Sequence, residues 1–316
     1  MVKDLRGNGV VSCLIISANQ VVTPYPVYPL GAAYVKGAMQ RHGHQVCHFD
    51  LLANGGLAGL EKCLKSTAFD LVGISIRNLD TVDSASPESF LGELAGVVEC
   101  IRKNLDTVLV LGGPAFSIMP ESLMELFGAD YGIVGEGETA LPLLASELAA
   151  GRKPGKKLWR SFHDLRENST PYTAREAAGY YLDRGGMLNV QSKRGCSYTC
   201  SYCSYPTIEG RTIRHRAPEE VAEEVMWLKD RFGARYLFFA DSIFNDPEGK
   251  YLQVAEALIR KKNSLPWCAF FRPENLRTAD LRLLKRAGLS AMELGTDAAA
   301  DATLEGLRKN LSLIHI

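Results

Sequence analysis

Three cysteines stand within eight residues in the stretch Cys196-Ser-Tyr-Thr-Cys200-Ser-Tyr-Cys203. Thiolates this close in the chain can converge on one metal centre. Structural zinc takes four protein ligands, and no fourth cysteine or nearby histidine pair completes such a set; His215 and Cys268 lie elsewhere in the pattern. Electron-transfer iron–sulfur clusters also use four cysteines. A 4Fe-4S cluster held by three cysteines keeps one iron open, and a chelating substrate can bind there.

The elements that must position this loop follow from the hydrophobic pattern. The loop comes directly after a strand candidate, Leu188–Ser192, which opens a βα series. Further strands are expected at Tyr236–Ala240, Trp267–Phe271 and Ala291–Leu294, with helices at Pro218–Phe232, Gly249–Lys262 and Thr278–Ala287. A loop after a barrel strand faces the active-site side of a (β/α) barrel. Residues 187–316 therefore read as a partial (β/α) barrel.

Residues 1–150 carry a separate βα series. Its strand candidates are Val10–Ser17, Gln45–Asp50, Asp70–Ile76, Thr107–Leu111 and Tyr131–Val134. The helices between them are Gly31–His42, Leu57–Lys65, Pro87–Lys103, Pro120–Phe127 and Thr139–Ala150. Short β-branched strands alternating with amphipathic helices predict a parallel sheet in an α/β, flavodoxin-like doubly wound domain. Its ligand belongs at the carboxyl ends of the strands. Those ends carry Ser75-Ile76-Arg77-Asn78, Gly112-Gly113-Pro114 and Gly135-Glu136-Gly137-Glu138, small or polar residues that favour a sizeable ligand across the sheet edge. Residues 151–186 break the pattern and read as a linker with a short helix near Ala174–Leu182.

CxxxCxxC with an aromatic residue, Tyr202, before the third cysteine resembles the signature of the radical S-adenosylmethionine (radical SAM) superfamily. Arg194-Gly195 and the following βα series strengthen the match. The resemblance implies that Cys196, Cys200 and Cys203 hold the cluster, that its open iron binds S-adenosylmethionine, and that reductive cleavage yields a 5′-deoxyadenosyl radical. It also implies S-adenosylmethionine contacts at Tyr202 and at Glu293. Where the superfamily carries a glycine pair this chain has Ala240-Asp241-Ser242, so Asp241 is the stand-in.

The N-terminal domain is similar to the cobalamin-binding domain found ahead of many radical SAM barrels, on Pro29-Leu30-Gly31 and the two glycine turns. This resemblance implies cobalamin contacts at Ser75, Arg77, Asn78, Gly112, Gly113, Gly135, Glu136 and Gly137. No D-x-H motif occurs, which fits the subgroup that binds cobalamin without a protein histidine on cobalt. Gly135-x-Gly137-x-x-Ala140 follows the fifth strand rather than the first, against a dinucleotide site. Cys13 and Cys47 fall in strands and Cys63 in a helix, against a second, N-terminal cluster. These three and Cys100 read as buried small hydrophobes.

The resemblance implies a cobalamin-dependent radical enzyme. The commonest outcome is methylation of an unactivated carbon or phosphorus centre, with one S-adenosylmethionine methylating cobalt and a second giving the radical. A radical cyclisation or rearrangement, or a non-catalytic corrinoid or iron–sulfur carrier, are the alternatives. No residue stands out as catalytic. An external one-electron donor of flavodoxin or ferredoxin type and a small-molecule or natural-product substrate are the implied partners.

Lys plus Arg equals Asp plus Glu at 36 each, a net charge of zero that argues against nucleic acid as main partner. Lys153, Lys156, Lys157 and Arg160 read as a solvated loop. No apolar run reaches membrane-spanning length, and Val10–Ala18 reads as a buried strand rather than a signal core. Eight cysteines then point to the reducing cytoplasm. The resemblance implies six βα units against four strand candidates here, so the chain reads as a C-terminally truncated fragment with a crippled barrel. Replacing Cys196, Cys200 and Cys203 together with alanine is expected to abolish the absorbance near about 400 nm that anaerobic reconstitution gives the unsubstituted chain. Full absorbance in the triple variant would place the cluster elsewhere.

Overall fold

The computed structural model describes residues 9–81, 83, 85–165, 177–274 and 276–315. The chain divides into two compact units, residues 1–163 with 171–177 and residues 164–170 with 178–316.

In the first unit β1 (Ser12–Ser17), α1 (Leu30–Arg41), β2 (Gln45–Asp50), α2 (Gly56–Ser66), β3 (Leu71–Ser75) and α3 (Leu91–Asn104) alternate. They are followed by β4 (Val108–Gly112), α4 (Pro114–Ile118), α5 (Pro120–Phe127), β5 (Tyr131–Gly135), α6 (Gly137–Ala149) and β6 (Leu158–Ser161). The strands form one parallel sheet of order β2-β1-β3-β4-β5-β6. The order reverses between β1 and β3, the switch point at which doubly wound sheets take ligands. Alternate residues feed two cores. Leu14 and Ile16 pack with Leu60, Val97 and Phe116 on one face. Cys13 and Ile15 pack with Met39, Leu141 and Leu144 on the other. A strand buried on both faces must be apolar throughout, which is why β1 reads as a continuous run.

Two features depart from the sequence reading. β6 lies inside the expected linker, pairing Leu158–Ser161 with Gly132–Gly135. It has only four residues, without an alternating pattern to betray it, and its basic residue Arg160 is part of that strand. The expected helix near Ala174–Leu182 falls partly outside the described residues; α7 spans Ala178–Gly185.

In the second unit, α7 leads to β7 (Leu188–Val190), β8 (Lys193–Arg194), α8 (Tyr205–Ile208), β9 (Arg214–His215), α9 (Pro218–Phe232) and β10 (Leu237–Phe239). Then come α10 (Tyr251–Arg260), β11 (Trp267–Phe271), α11 (Thr278–Arg286), β12 (Leu289–Leu294) and α12 (Asp301–Gly306). β7, β10, β11 and β12 form a parallel sheet in chain order. Each βα unit adds its strand on the same side, as in a barrel wall. β12 lies at the sheet edge, with Ser290, Ala291, Glu293 and Leu294 exposed. The ends of α9 follow from its sequence: Pro218 in the first turn, Glu219 and Glu220 at the positive pole, and Gly233 closing it at φ 67°. Phe239 packs edge-to-face on Phe244 and Trp267, and Phe244 packs at a tilt on Trp267 and Phe271.

One hydroxyl joins two turns of the first sheet. Ser117 Oγ donates to Gly113 O at 2.9 Å and accepts from Gly135 N at 2.9 Å. Ser117 is 1% exposed, so its removal strands an amide donor. Ser117→Ala is expected to lower unfolding stability by about 1–3 kcal/mol in chemical denaturation. An unchanged midpoint would show that water takes over the bond.

Candidate functional site

The cysteine loop hangs on a short hairpin stem. β8 and β9 pair antiparallel, with Lys193 opposite His215 and Arg194 opposite Arg214. Gly195 follows at φ 92°, where an added Cβ would lie 2.2 Å from Thr212 O, so only glycine turns the chain here. Glu209 anchors the turn, accepting from Gly195 N at 3.1 Å and from Gln191 Nε2 at 2.9 Å. Cys196 N donates to Gly210 O and Cys203 N to Cys200 O. Cys196 is buried, while Cys200 and Cys203 are half-buried.

Burial pushes the Cys196 thiol up, and the neighbouring Cys203 and Cys200 push the same way. The Tyr198 amide and the Ser242 side chain, both beside that sulfur, oppose the rise, although the Ser242 hydroxyl itself donates to Gly195 O at 3.1 Å. The three thiols are thus close enough to feel one another. Among the described residues no three His, Cys, Asp or Glu side chains converge tightly enough to chelate one ion. A cubane asks for no such convergence, since its thiolates bind separate irons, whereas zinc draws them within about 2.3 Å of one point. The donor set suits the cluster.

Asp241 lies beneath the loop entrance rather than on its open side. It is 0% exposed, accepting from Ser192 N at 2.7 Å, Ser192 Oγ at 2.5 Å and Lys193 N at 3.3 Å. Expected as the stand-in for the superfamily's glycine pair near the methionyl amino group, Asp241 has its carboxylate taken up by the backbone and hydroxyl at the loop entrance. Lys193 Nζ sits 3.6 Å from Asp241, 3.4 Å from Asp246 and 2.6 Å from Phe244 O. Asp246 in turn accepts from the amides of Lys250 and Tyr251 at the start of α10. Arg216 is buried and paired with Glu224 at 2.6 Å. Tyr202 lies on the loop and is 54% exposed. Glu293 is exposed on the edge strand β12, apart from the loop network.

Beside the loop a cavity of about 330 Å³ is lined by Tyr198, Asn245, Glu274 and Arg277 among others. Glu274 Oε2 is buried there without a hydrogen-bond partner among the described residues, leaving one acceptor for a donor-bearing ligand. Tyr198 donates to the other oxygen at 3.1 Å. Burial and then Glu274 push its phenol up to about 12, so it stays a donor.

At the β1/β3 switch point, Ala18, Asn19, Gln20, Ile76, Arg77 and Asn78 line a cleft of about 10 Å³. That is room for about one water-sized group. Asn78 Oδ1 is buried there without a partner among the described residues, which suits a donor arriving from a ligand. Ser75 is half-buried at the end of β3 and Arg77 exposed just beyond. The glycine turns behave otherwise than expected. A Cβ on Gly113 would meet Ile76 O at 2.6 Å, on Gly135 Ser161 O at 2.4 Å, and on Gly137 the Val35 side chain at 2.8 Å. On the side a Cβ would occupy these glycines admit neighbouring protein; Gly112, whose Cβ would meet Ile133 O at 3.6 Å, has ordinary room. Glu136 is also turned inward, accepting from His163 N at 2.7 Å. Of the remaining cysteines, Cys13 is buried as expected, Cys47 is exposed, and Cys63 and Cys100 are half-buried against the core.

Glu209, Lys193 and Ser117 escaped the sequence reading. Lone polar residues without a spacing motif, they carry no signal until the fold brings their partners close.

Residues 16–145 match the B12 binding domain family and residues 190–312 the Radical SAM superfamily. The tryptophan 2-C-methyltransferase of Streptomyces laurentii is 24% identical, the match covering 92% of this chain and 60% of that enzyme. The anaerobic magnesium-protoporphyrin IX monomethyl ester cyclase of Cereibacter sphaeroides is 30% identical over 90% of this chain and 49% of its own length. The radical S-adenosylmethionine methyltransferase TsrM of Kitasatospora setae, solved with tryptophan and an S-adenosylmethionine analogue, superposes with a TM-score of 0.84 at 25% identity. That alignment covers 94% of this chain and 61% of TsrM. A second TsrM structure holds cobalamin and a [4Fe-4S] cluster. The chain thus spans less than two thirds of the length of each relative.

Asp241→Ala would leave the Lys193 ammonium short of a counter-charge in a dry site. It is expected to cost about 3 kcal/mol of stability, whereas Glu293→Gln, at an exposed edge, leaves the denaturation midpoint in place. Equal midpoints for the two variants would contradict this arrangement.

Proposed function

The chain belongs to the radical S-adenosylmethionine proteins that carry a B12-binding domain, and on that premise we propose that it serves methyl transfer to an unactivated carbon or phosphorus centre of a small molecule. The observation that carries the reading is the Cys196–Cys203 loop, with three thiols and no fourth cysteine. The cluster and S-adenosylmethionine together supply a carbon-centred radical, and cobalamin supplies the methyl group.

The chain's own residues have narrower tasks in this proposal. Cys196, Cys200 and Cys203 are the cluster ligands. The Tyr198 amide and the Ser242 side chain lie beside the Cys196 sulfur and favour its thiolate, and polar neighbours of this kind tune a cluster's potential. Tyr202 contributes to S-adenosylmethionine binding; Glu293 remains a candidate contact at the strand end. Ser75, Arg77 and Asn78 are the cobalamin-facing groups, while Gly112, Gly113, Gly135, Glu136 and Gly137 shape the edge from within. Electrons come from an external flavodoxin- or ferredoxin-type donor. The zero net charge favours a small-molecule substrate over nucleic acid, and among the described residues no helix is long and apolar enough to cross a membrane.

The cyclase relative makes ring formation the competing outcome. The two separate by stoichiometry. Methyl transfer is expected to form S-adenosylhomocysteine in step with 5′-deoxyadenosine when the reconstituted chain receives S-adenosylmethionine, cobalamin, reductant and candidate acceptors. 5′-Deoxyadenosine without S-adenosylhomocysteine would favour cyclisation, and neither product would favour a carrier.

A further inference from the structure

Both tyrosines of the cysteine loop are held by residues far along the chain. The Arg272 guanidinium lies 3.9 Å over the Tyr198 ring and pairs with Glu274, the acceptor of the Tyr198 hydroxyl. At the other end, Lys309 Nζ donates to Tyr202 Oη at 2.7 Å. Tyr202 Oη and Lys309 Nζ both bond the Asp297 carboxylate. Two further bonds tie this group to the loop and to β11: Ser201 N donates to Leu307 O at 2.9 Å, and Arg272 donates to Lys309 O at 2.5 Å.

The arrangement has features of a built lock rather than a surface ion pair. Lys309 is 6% exposed, so its ammonium is held in place of water by two oxygens. Asp297, Arg308 and Asn310 hold left-handed backbone at φ 63°, 52° and 54°, a conformation Asp and Asn accept readily but Arg does not. Tyr202 and Ser201 lie between the second and third cysteines, so whatever fixes them fixes the spacing of Cys200 and Cys203. We propose that Lys309 is a positioning residue for the cysteine loop: with Asp297 it locks Tyr202 and thereby sets the geometry of the outer two thiols. The role rests on the cluster reading above, and Lys309 acts through Tyr202.

The test uses the whole chain and two readouts, one independent of the cluster. In the metal-free reduced chain, Lys309→Met is expected to speed iodoacetamide labelling of Cys200 and Cys203 about tenfold, read by mass spectrometry, with Cys196 unaffected. In the reconstituted chain it is expected to speed iron loss to a chelator by a similar factor and to broaden the EPR signal of the reduced cluster. Lys309→Arg, which keeps a donor cation, restores most of both. Tyr202→Phe, at an exposed ring, is expected to reproduce the effect without threatening the fold. The double variant should be no worse than either single, because all act through one lock. Wild-type labelling rates in folded Lys309→Met and Tyr202→Phe, or effects that multiply in the double variant, would overturn the lock. A wild-type chain that takes up no iron would defeat the cluster reading instead, and the labelling arm would still decide the lock.

Discussion

Beneath the cysteine loop an ammonium and two carboxylates share a site with almost no water. Lys193 and Asp246 are within a few per cent of full burial and Asp241 has no exposed surface. Each charge taken from water costs several kcal/mol, and only close pairing and well-directed hydrogen bonds offset that. The geometry is therefore narrowly constrained. Asp241 must stay at the end of β10 to receive the Ser192 and Lys193 amides, and Asp246 must stay at the start of α10 to meet the Lys193 ammonium. Together they fix where the chain leaves β7. Everything beyond, from the Gly195 turn to the third cysteine, is built on that point.

From there the three thiols differ in depth. Cys196, next to the anchored strand, is buried and its thiol is pushed up by that burial. Ligation requires the thiolate, so an iron bound here would have to displace a proton that burial retains. Cys200 and Cys203 lie nearer the surface. Their placement depends on the outer half of the loop, where contacts come from the ends of β11 and β12 rather than from β7.

The first unit builds its ligand edge differently. Its turn glycines are consumed by protein packing: Gly113 lets the chain pass Ile76, and Gly135 lets it pass Ser161. The close approach that glycine permits is thus approach of one turn to another, fastened by Ser117. What the edge offers outward is polar side chains after β3, with Asn78 turning a buried oxygen toward the cleft. A large planar ligand would meet a rim of side chains over a rigid floor.

Much of this was legible in the residues themselves. The spacing of Cys196, Cys200 and Cys203 lies within one loop, and short-range spacing survives folding unchanged. β2, β11, α5 and α9 have the bounds that periodicity predicts, because buried strands and amphipathic helices write their period into the chain. Other assignments depended on tertiary structure. Asp241 looked like a ligand contact at a strand end, yet its partners Ser192 and Lys193 stand some fifty residues earlier and turn it inward. Gly113 and Gly135 read only as turn glycines until the fold sets Ile76 and Ser161 on the side a Cβ would occupy. β6 is too short to show a period and exists because β5 offers it an edge. Lys309 reaches Tyr202 across more than a hundred residues. Local pattern determines which element forms, but the partner of a lone polar side chain is set by what the fold brings beside it.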